Sequence, residues 1–130
     1  MALRQEAYTF TSDDPGGLGN AIGEALELAF EAVFSGDAGG FALSVRGALF
    51  VYDHARRELI TPTGAYPLPF AGADRIGLRI IADRGSVELF TDDGLFNCGL
   101  NAVLDPSRKT VELLYARECS ISGSVYLLGL

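Results

Sequence analysis

The chain has 130 residues, 48% of them apolar, and 17 acidic against 10 basic side chains give it a formal net charge of −7; this length suits one domain around one core. The acidic balance, with basic residues scattered along the chain, disfavours a phosphate-backbone ligand, so no nucleic acid is expected as a partner. The opening MALRQEAYTF lacks a basic segment followed by an apolar one, and no apolar run reaches the ~20 residues that span a bilayer, so no membrane partner is expected; the chain reads as cytoplasmic as written, or extracellular if it belongs to a longer secreted protein.

Residues 1–20 end in Ser12-Asp13-Asp14-Pro15-Gly16-Gly17, a turn-forming cluster, and read as an N-terminal extension or linker before a sandwich domain over 21–130. Ala25 to Phe34 fits two patterns. Leu26, Leu28, Phe30, Ala32 and Phe34 alternate as in a strand, while Ile22, Leu26, Phe30 and Val33 recur at helical spacing. Phe41 to Arg46 and Ala48 to Tyr52 read as strands hinged at Gly47, followed by a polar turn Asp53-His54-Ala55-Arg56-Arg57 and a strand Glu58 to Thr61. Pro62, Gly64, Pro67 and Pro69 then predict a long crossing loop up to Asp74.

Ile76 to Asp83 and Ser86 to Thr91 alternate around Arg84-Gly85, which predicts a hairpin. Asp92-Asp93-Gly94 turns the chain into a strand from Leu95 to Val103. Asp105-Pro106-Ser107 turns it again into Thr110 to Ala116, and Gly123 to Leu130 closes the domain. Short strands at this spacing predict a meandering β-sandwich or barrel. Cys98 and Cys119 form no CxxC or spaced framework and read as free thiols.

The run Leu78-Arg79-Ile80-Ile81-Ala82-Asp83-Arg84-Gly85-Ser86-Val87-Glu88-Leu89-Phe90-Thr91-Asp92-Asp93-Gly94 resembles the C-terminal domain of glycoside hydrolase family 32, the invertases, inulinases and levanases. Gly85, Leu89 and Asp92 stand where that family commonly has Ser, Val and Asn. Leu26-Glu27-Leu28, Val51-Tyr52-Asp53 and Ser124-Val125-Tyr126-Leu127-Leu128 look like further strands of the same domain. Leu59-Ile60-Thr61-Pro62-Thr63 departs from it, since the family often ends that strand in Asp-Arg-Ser. The resemblance implies an all-β fold, a two-sheet antiparallel β-sandwich of concanavalin-like jelly-roll type, in which Ala25 to Phe34 is a strand. It also implies a non-catalytic companion to a catalytic propeller, and is related to fructan-binding modules of similar fold.

Chemistry-bearing residues are sparse. Asp13-Asp14-Pro15-Gly16 and Glu118-Cys119 look like fragments of a hydrolase nucleophile and acid/base pair, but a retaining glycosidase needs its two carboxyl groups about 5–5.5 Å apart, and no pattern here sets that spacing. His54, in a charged turn, reads as a solvated turn residue. Asp92 and Asp93 read as turn formers before calcium ligands, and Gly16-Gly17-Leu18-Gly19 lacks the lysine of a phosphate-binding loop. No cofactor and no metal are expected. The candidate sugar-binding residues are Asp83, Arg84, Glu88, Arg79 and Tyr52. Carboxylates and a guanidinium suit vicinal hydroxyls, which donate and accept. The chain has no Trp, so Tyr52, Tyr66 and Phe96 are its candidate stacking faces. Folding roles compete with these: Asp83 and Ser86 stabilising the turn, and Glu88 pairing across the sheet with Arg79 or another base.

The expected function is therefore that of a non-catalytic accessory module of a fructan- or sucrose-processing hydrolase, packing on its catalytic domain. A carbohydrate-binding module for fructose residues of levan or inulin, and a free-standing lectin-like or assembly domain, are the alternatives. The apolar surplus predicts an exposed patch that would seat the catalytic domain or, as a homodimer, a second copy.

Overall fold

The structure, a computed structural model, describes residues 3–20, 25–68, 74–83, 86–91, 97–100 and 111–129. Its strands are β1 (Leu3–Thr11), β2 (Ala25–Phe34), β3 (Gly40–Val45), β4 (Ala48–Asp53), β5 (Glu58–Thr61), β6 (Gly64–Pro67), β7 (Arg75–Asp83), β8 (Ser86–Thr91), β9 (Asn97–Leu100), β10 (Val111–Arg117) and β11 (Cys119–Gly129). They form two antiparallel sheets, a six-stranded one ordered β1-β11-β2-β7-β8-β9 and a five-stranded one ordered β10-β3-β4-β5-β6. The all-β sandwich expected from the sequence is thus the observed architecture.

Strand alternation sorts each side chain to one face. Leu26, Leu28, Phe30, Ala32 and Phe34 of β2 and Ile76, Leu78, Ile80 and Ala82 of β7 point inward and are buried. They meet Phe41, Leu43 and Val45 of β3, Phe50 and Tyr52 of β4 and Leu59 of β5 from the other sheet. Burying side chains of this size contributes about 1.5–3 kcal/mol each, which is what selects strand over helix for Ala25–Phe34. A helix would bury only one stripe; the strand places Ala32 and all four large even-numbered side chains in the core.

Aromatic rings join the sheets at one end. Phe30 meets Phe41 edge-on at 5.5 Å, and Phe41 and Phe34 lie 5.5 and 5.7 Å from the Tyr52 ring. At this same end the chain crosses between sheets twice. Residues 35–39 lead from β2 to β3, and Glu118 alone, at φ 56°, leads from β10 to β11. Ser35 ties the crossings together, its backbone N–H and its hydroxyl both donating to the Glu118 carbonyl at 3.1 and 3.3 Å.

Several expectations are corrected. Residues 3–11, expected in an extension or linker, form an edge strand along β11, because Phe10 is buried and Tyr8 packs against the core. Within the expected crossing loop, Gly64–Pro67 forms β6, where Pro67 is tolerated because β6 is an edge strand. The order is not a simple meander, since β11 lies between β1 and β2, with β10 beside β3. The final strand begins at Cys119 rather than Gly123, and Gly123 sits where β11 lies tight against β2. A Cβ there would lie 2.4 Å from the Ala29 carbonyl oxygen.

Candidate functional site

The residues expected to bind sugar divide between two places. Arg79, Asp83 and Glu88 project from the outer face of the six-stranded sheet: β7 alternates Ile76, Leu78, Ile80 and Ala82 inward, and the register sets Glu88 opposite Ile81. Glu88 is thereby a diagonal neighbour of both Arg79 and Asp83. Asp83 and Glu88 are exposed, and the Ser86 hydroxyl donates to the Asp83 carbonyl at 3.3 Å, as expected of a turn brace. Arg79 is directed elsewhere. Its Nε lies 3.7 Å from the Glu27 carboxylate of β2, which is only 8% exposed, so the cation offsets a nearly buried charge. Arg84, Asp92, Asp93 and Phe96 lie outside the described residues.

Tyr52 belongs to the other sheet and is wholly buried between the layers. Its hydroxyl lies 3.0 Å from His54 Nδ1. Burial pushes the phenol's pKa up from its ordinary value, against the lowering influence of Arg57 and with a further rise from Asp53. It joins no surface with Asp83 and Glu88. His54 is likewise buried, not solvated as its charged neighbours suggested; its ring stacks on Phe34 at 3.8 Å and its backbone N–H donates to the Gly39 carbonyl at 3.0 Å. A flat imidazole completes the aromatic cluster, and the turn's polarity is carried by Asp53, Arg56 and Arg57. Asp53 Oδ1 accepts from the backbone N–H groups of Ala55 and Arg56 at 3.1 and 3.3 Å, and Arg57 donates to the His54 carbonyl. Tyr66 packs partly against the core, its hydroxyl 2.9 Å from Thr63 Oγ1.

A cleft of about 470 Å³ opens on the outer face of the five-stranded sheet, above the aromatic cluster. Gly39 and Gly40 line it where β3 starts. Both approach backbone so closely that a Cβ would lie 2.2 Å from the Arg117 carbonyl oxygen and 2.1 Å from that of Tyr52, and Gly39 has φ 95°. One wall is Tyr115, Arg117 and Glu118; the other is Val51, Asp53 and Ile60. The Arg117 guanidinium lies over the Tyr115 ring, 4.5 Å from its centroid. Ile60 is 41% exposed, and Leu49, on the same face of β4 as Val51, is 47% exposed.

Of the residues lining the cleft, the sequence singled out Tyr52, as a sugar-binding candidate, and Glu118, as a hydrolase fragment. The register shift between Leu113 and Tyr115 reverses the alternation begun at the buried Val111, so Tyr115 and Arg117 face outward where an unbroken strand would turn them inward. Asp14, from the other such fragment, closes a tight turn, its N–H and carbonyl bonded to the carbonyl and N–H of Thr11. Among the described residues no group of three or more His, Cys, Asp or Glu side chains is placed to hold a metal ion, and no helix is long and apolar enough to cross a membrane.

No family model matches the chain, and no curated protein does. Solved structures do. An exo-inulinase from Aspergillus awamori superposes over 99% of this chain and 29% of its own, at 17% identity and a TM-score of 0.65. A sucrose-6-phosphate hydrolase from Lactobacillus gasseri covers 98% of this chain and 29% of its own, at 16% identity and a TM-score of 0.67. A fructosyltransferase from A. japonicus covers 100% and 26%, at 13% identity and a TM-score of 0.59. The chain thus spans less than a third of the length of each. Its fold is that of a β-sandwich consistent with the C-terminal domain of glycoside hydrolase family 32 chains, the resemblance first read from Leu78 to Gly94.

Proposed function

We propose that this chain is the non-catalytic accessory β-sandwich of a fructan- or sucrose-processing glycoside hydrolase, and that it packs on the catalytic domain and stabilises it. The observation that supports this reading is the coverage. Nearly the whole chain lies on a minor part, 26–29%, of an inulinase, a sucrose-6-phosphate hydrolase and a fructosyltransferase, so a larger remainder of each supplies what this sandwich lacks.

The test is the mass of the native polypeptide carrying this sequence, together with its activity. With 29% coverage the expected polypeptide is about three times heavier than the 13.8 kDa chain. It should release fructose from sucrose, inulin or levan, and deleting these residues should lower its melting temperature. The isolated chain should release none. Hydrolysis by the isolated chain, or a native product no heavier than 13.8 kDa, would overturn the reading.

A further inference from the structure

We propose that the cleft between Tyr115–Arg117 and Val51–Ile60 binds a neutral polyhydroxylated ring, a sugar, at a site separate from the Asp83–Glu88 face. The inference goes beyond the accessory role and stands whether or not a catalytic domain packs elsewhere on the sandwich.

The walls select the ligand by charge. Asp53 and Glu118 put two carboxylates on the cleft against the Arg117 guanidinium, and Arg56, 3.9 Å from Asp53 Oδ2, only balances them, so no surplus of positive charge is left to hold a phosphate or a carboxylate ligand. A bare divalent cation is opposed by the guanidinium and finds no set of three ligating side chains among the described residues. A wholly apolar ligand would strip water from three charged groups with nothing to replace it. A neutral polyol meets all of these conditions. Its hydroxyls donate to the carboxylates and accept from the guanidinium, while its C–H faces cover Val51 and Ile60. The cleft's volume of about 470 Å³ lies within the ~300–1,000 Å³ that small-ligand sites occupy.

The site is also held in place. Tyr115 fixes the guanidinium by its ring, 4.5 Å away, so little side-chain entropy remains to be lost when a hydroxyl binds. The Glu118 backbone is set at φ 56° by the sheet crossing and anchored through its carbonyl to Ser35, and the two glycines of the floor leave no room for a side chain. Beneath the cleft, Tyr52, Phe41 and Phe34 pack ring against ring in the buried core. Rigid elements carrying convergent polar groups are what a binding site requires.

The test is titration of the 15N-labelled chain followed by NMR, with fructose, sucrose and an inulin trisaccharide, and with inorganic phosphate as the anionic probe. Shifts are expected at Gly39, Gly40 and Arg117, saturating at millimolar sugar, and none with phosphate. Arg117→Ala should weaken binding about tenfold or more, because charge-assisted hydrogen bonds are lost. Tyr115→Phe should bind like the wild type. Ile60→Arg, at an exposed position, should block the cleft without unfolding the chain, and an unchanged urea midpoint separates loss of binding from loss of fold. No shifts at 20 mM of any of the three sugars, saturation by phosphate instead, or binding abolished by Glu88→Gln but untouched by Arg117→Ala would each overturn the proposal. None of these outcomes bears on the native polypeptide's mass, so the accessory role is judged separately.

Discussion

Replacing Tyr52 by Phe removes one oxygen from a wholly buried position and leaves His54 Nδ1, 3.0 Å away and also buried, without that partner. A buried polar atom that loses a hydrogen-bond partner costs about 1–3 kcal/mol, whereas replacing both members by apolar groups of similar shape is close to neutral. Tyr52→Phe should therefore destabilise by about 2 kcal/mol, a shift of about 1 M in the urea midpoint at an m-value of about 2 kcal/mol/M. His54→Phe keeps a flat ring to stack on Phe34, 3.8 Å away in the native chain, but strands the Tyr52 hydroxyl and should cost a similar amount. The double variant should be more stable than the sum of the single changes implies, with a coupling of about 1 kcal/mol or more. Urea unfolding at 25 °C followed by far-UV circular dichroism measures all three. Single changes that add to within about 0.3 kcal/mol would refute the reasoning, since the hydroxyl and the imidazole would then not be acting as a pair.

The same phenol gives an alkaline signature. Because burial raises its pKa, the unfolded chain loses the proton first, so the contribution is intact below about pH 10 and declines as pH rises towards the folded value; between pH 9 and 11 the wild type should lose more stability than Tyr52→Phe, and parallel curves would contradict this. Burial also raises the Cys119 thiol, only partly opposed by a backbone hydrogen bond from Arg117, so in a Cys98→Ser background iodoacetamide should label it more slowly than an unstructured cysteine peptide at pH 8. Gly123→Ala would force a methyl against the Ala29 oxygen and the Phe30 Cβ, at 2.4 and 2.5 Å, and should cost about 1–3 kcal/mol; an unchanged melting temperature would show that β11 and β2 can part freely. Arg79→Met should destabilise by about 1–2 kcal/mol by removing a cation from the nearly buried Glu27, and the added change Glu27→Gln should recover most of it. Stability unaffected by Arg79→Met would free that arginine for a ligand.

Local pattern carried much of the sandwich. Ile76 to Asp83 and Ser86 to Thr91 alternate without interruption, and the observed strands follow them residue for residue, because a strand with one buried face admits only one register. Where two periods coincided, in Ala25 to Phe34, local pattern was silent. The choice belongs to β7 and β11, which flank this segment and complete its hydrogen bonds. Residues 3–11 read as part of an extension, and only the return of β11 beside them makes an edge strand of that segment.

The candidate sites follow the same division. Asp83 and Glu88 share an outer face as their spacing implied, since period-two alternation is local and the hairpin register is set by its turn. His54 is buried despite its charged neighbours in sequence because Phe34 and Tyr52 pack against its ring, while Asp53, Arg56 and Arg57 carry the turn's charge. The cleft joins Gly39 and Gly40 to Tyr115, Arg117 and Glu118, segments more than 70 residues apart in the chain. By itself the sequence determined strand content, inward faces and the family resemblance, all of which depend on residues a few positions apart. Only the tertiary structure decided which strands became neighbours and where a cleft lies, because those outcomes depend on burying two sheets against each other.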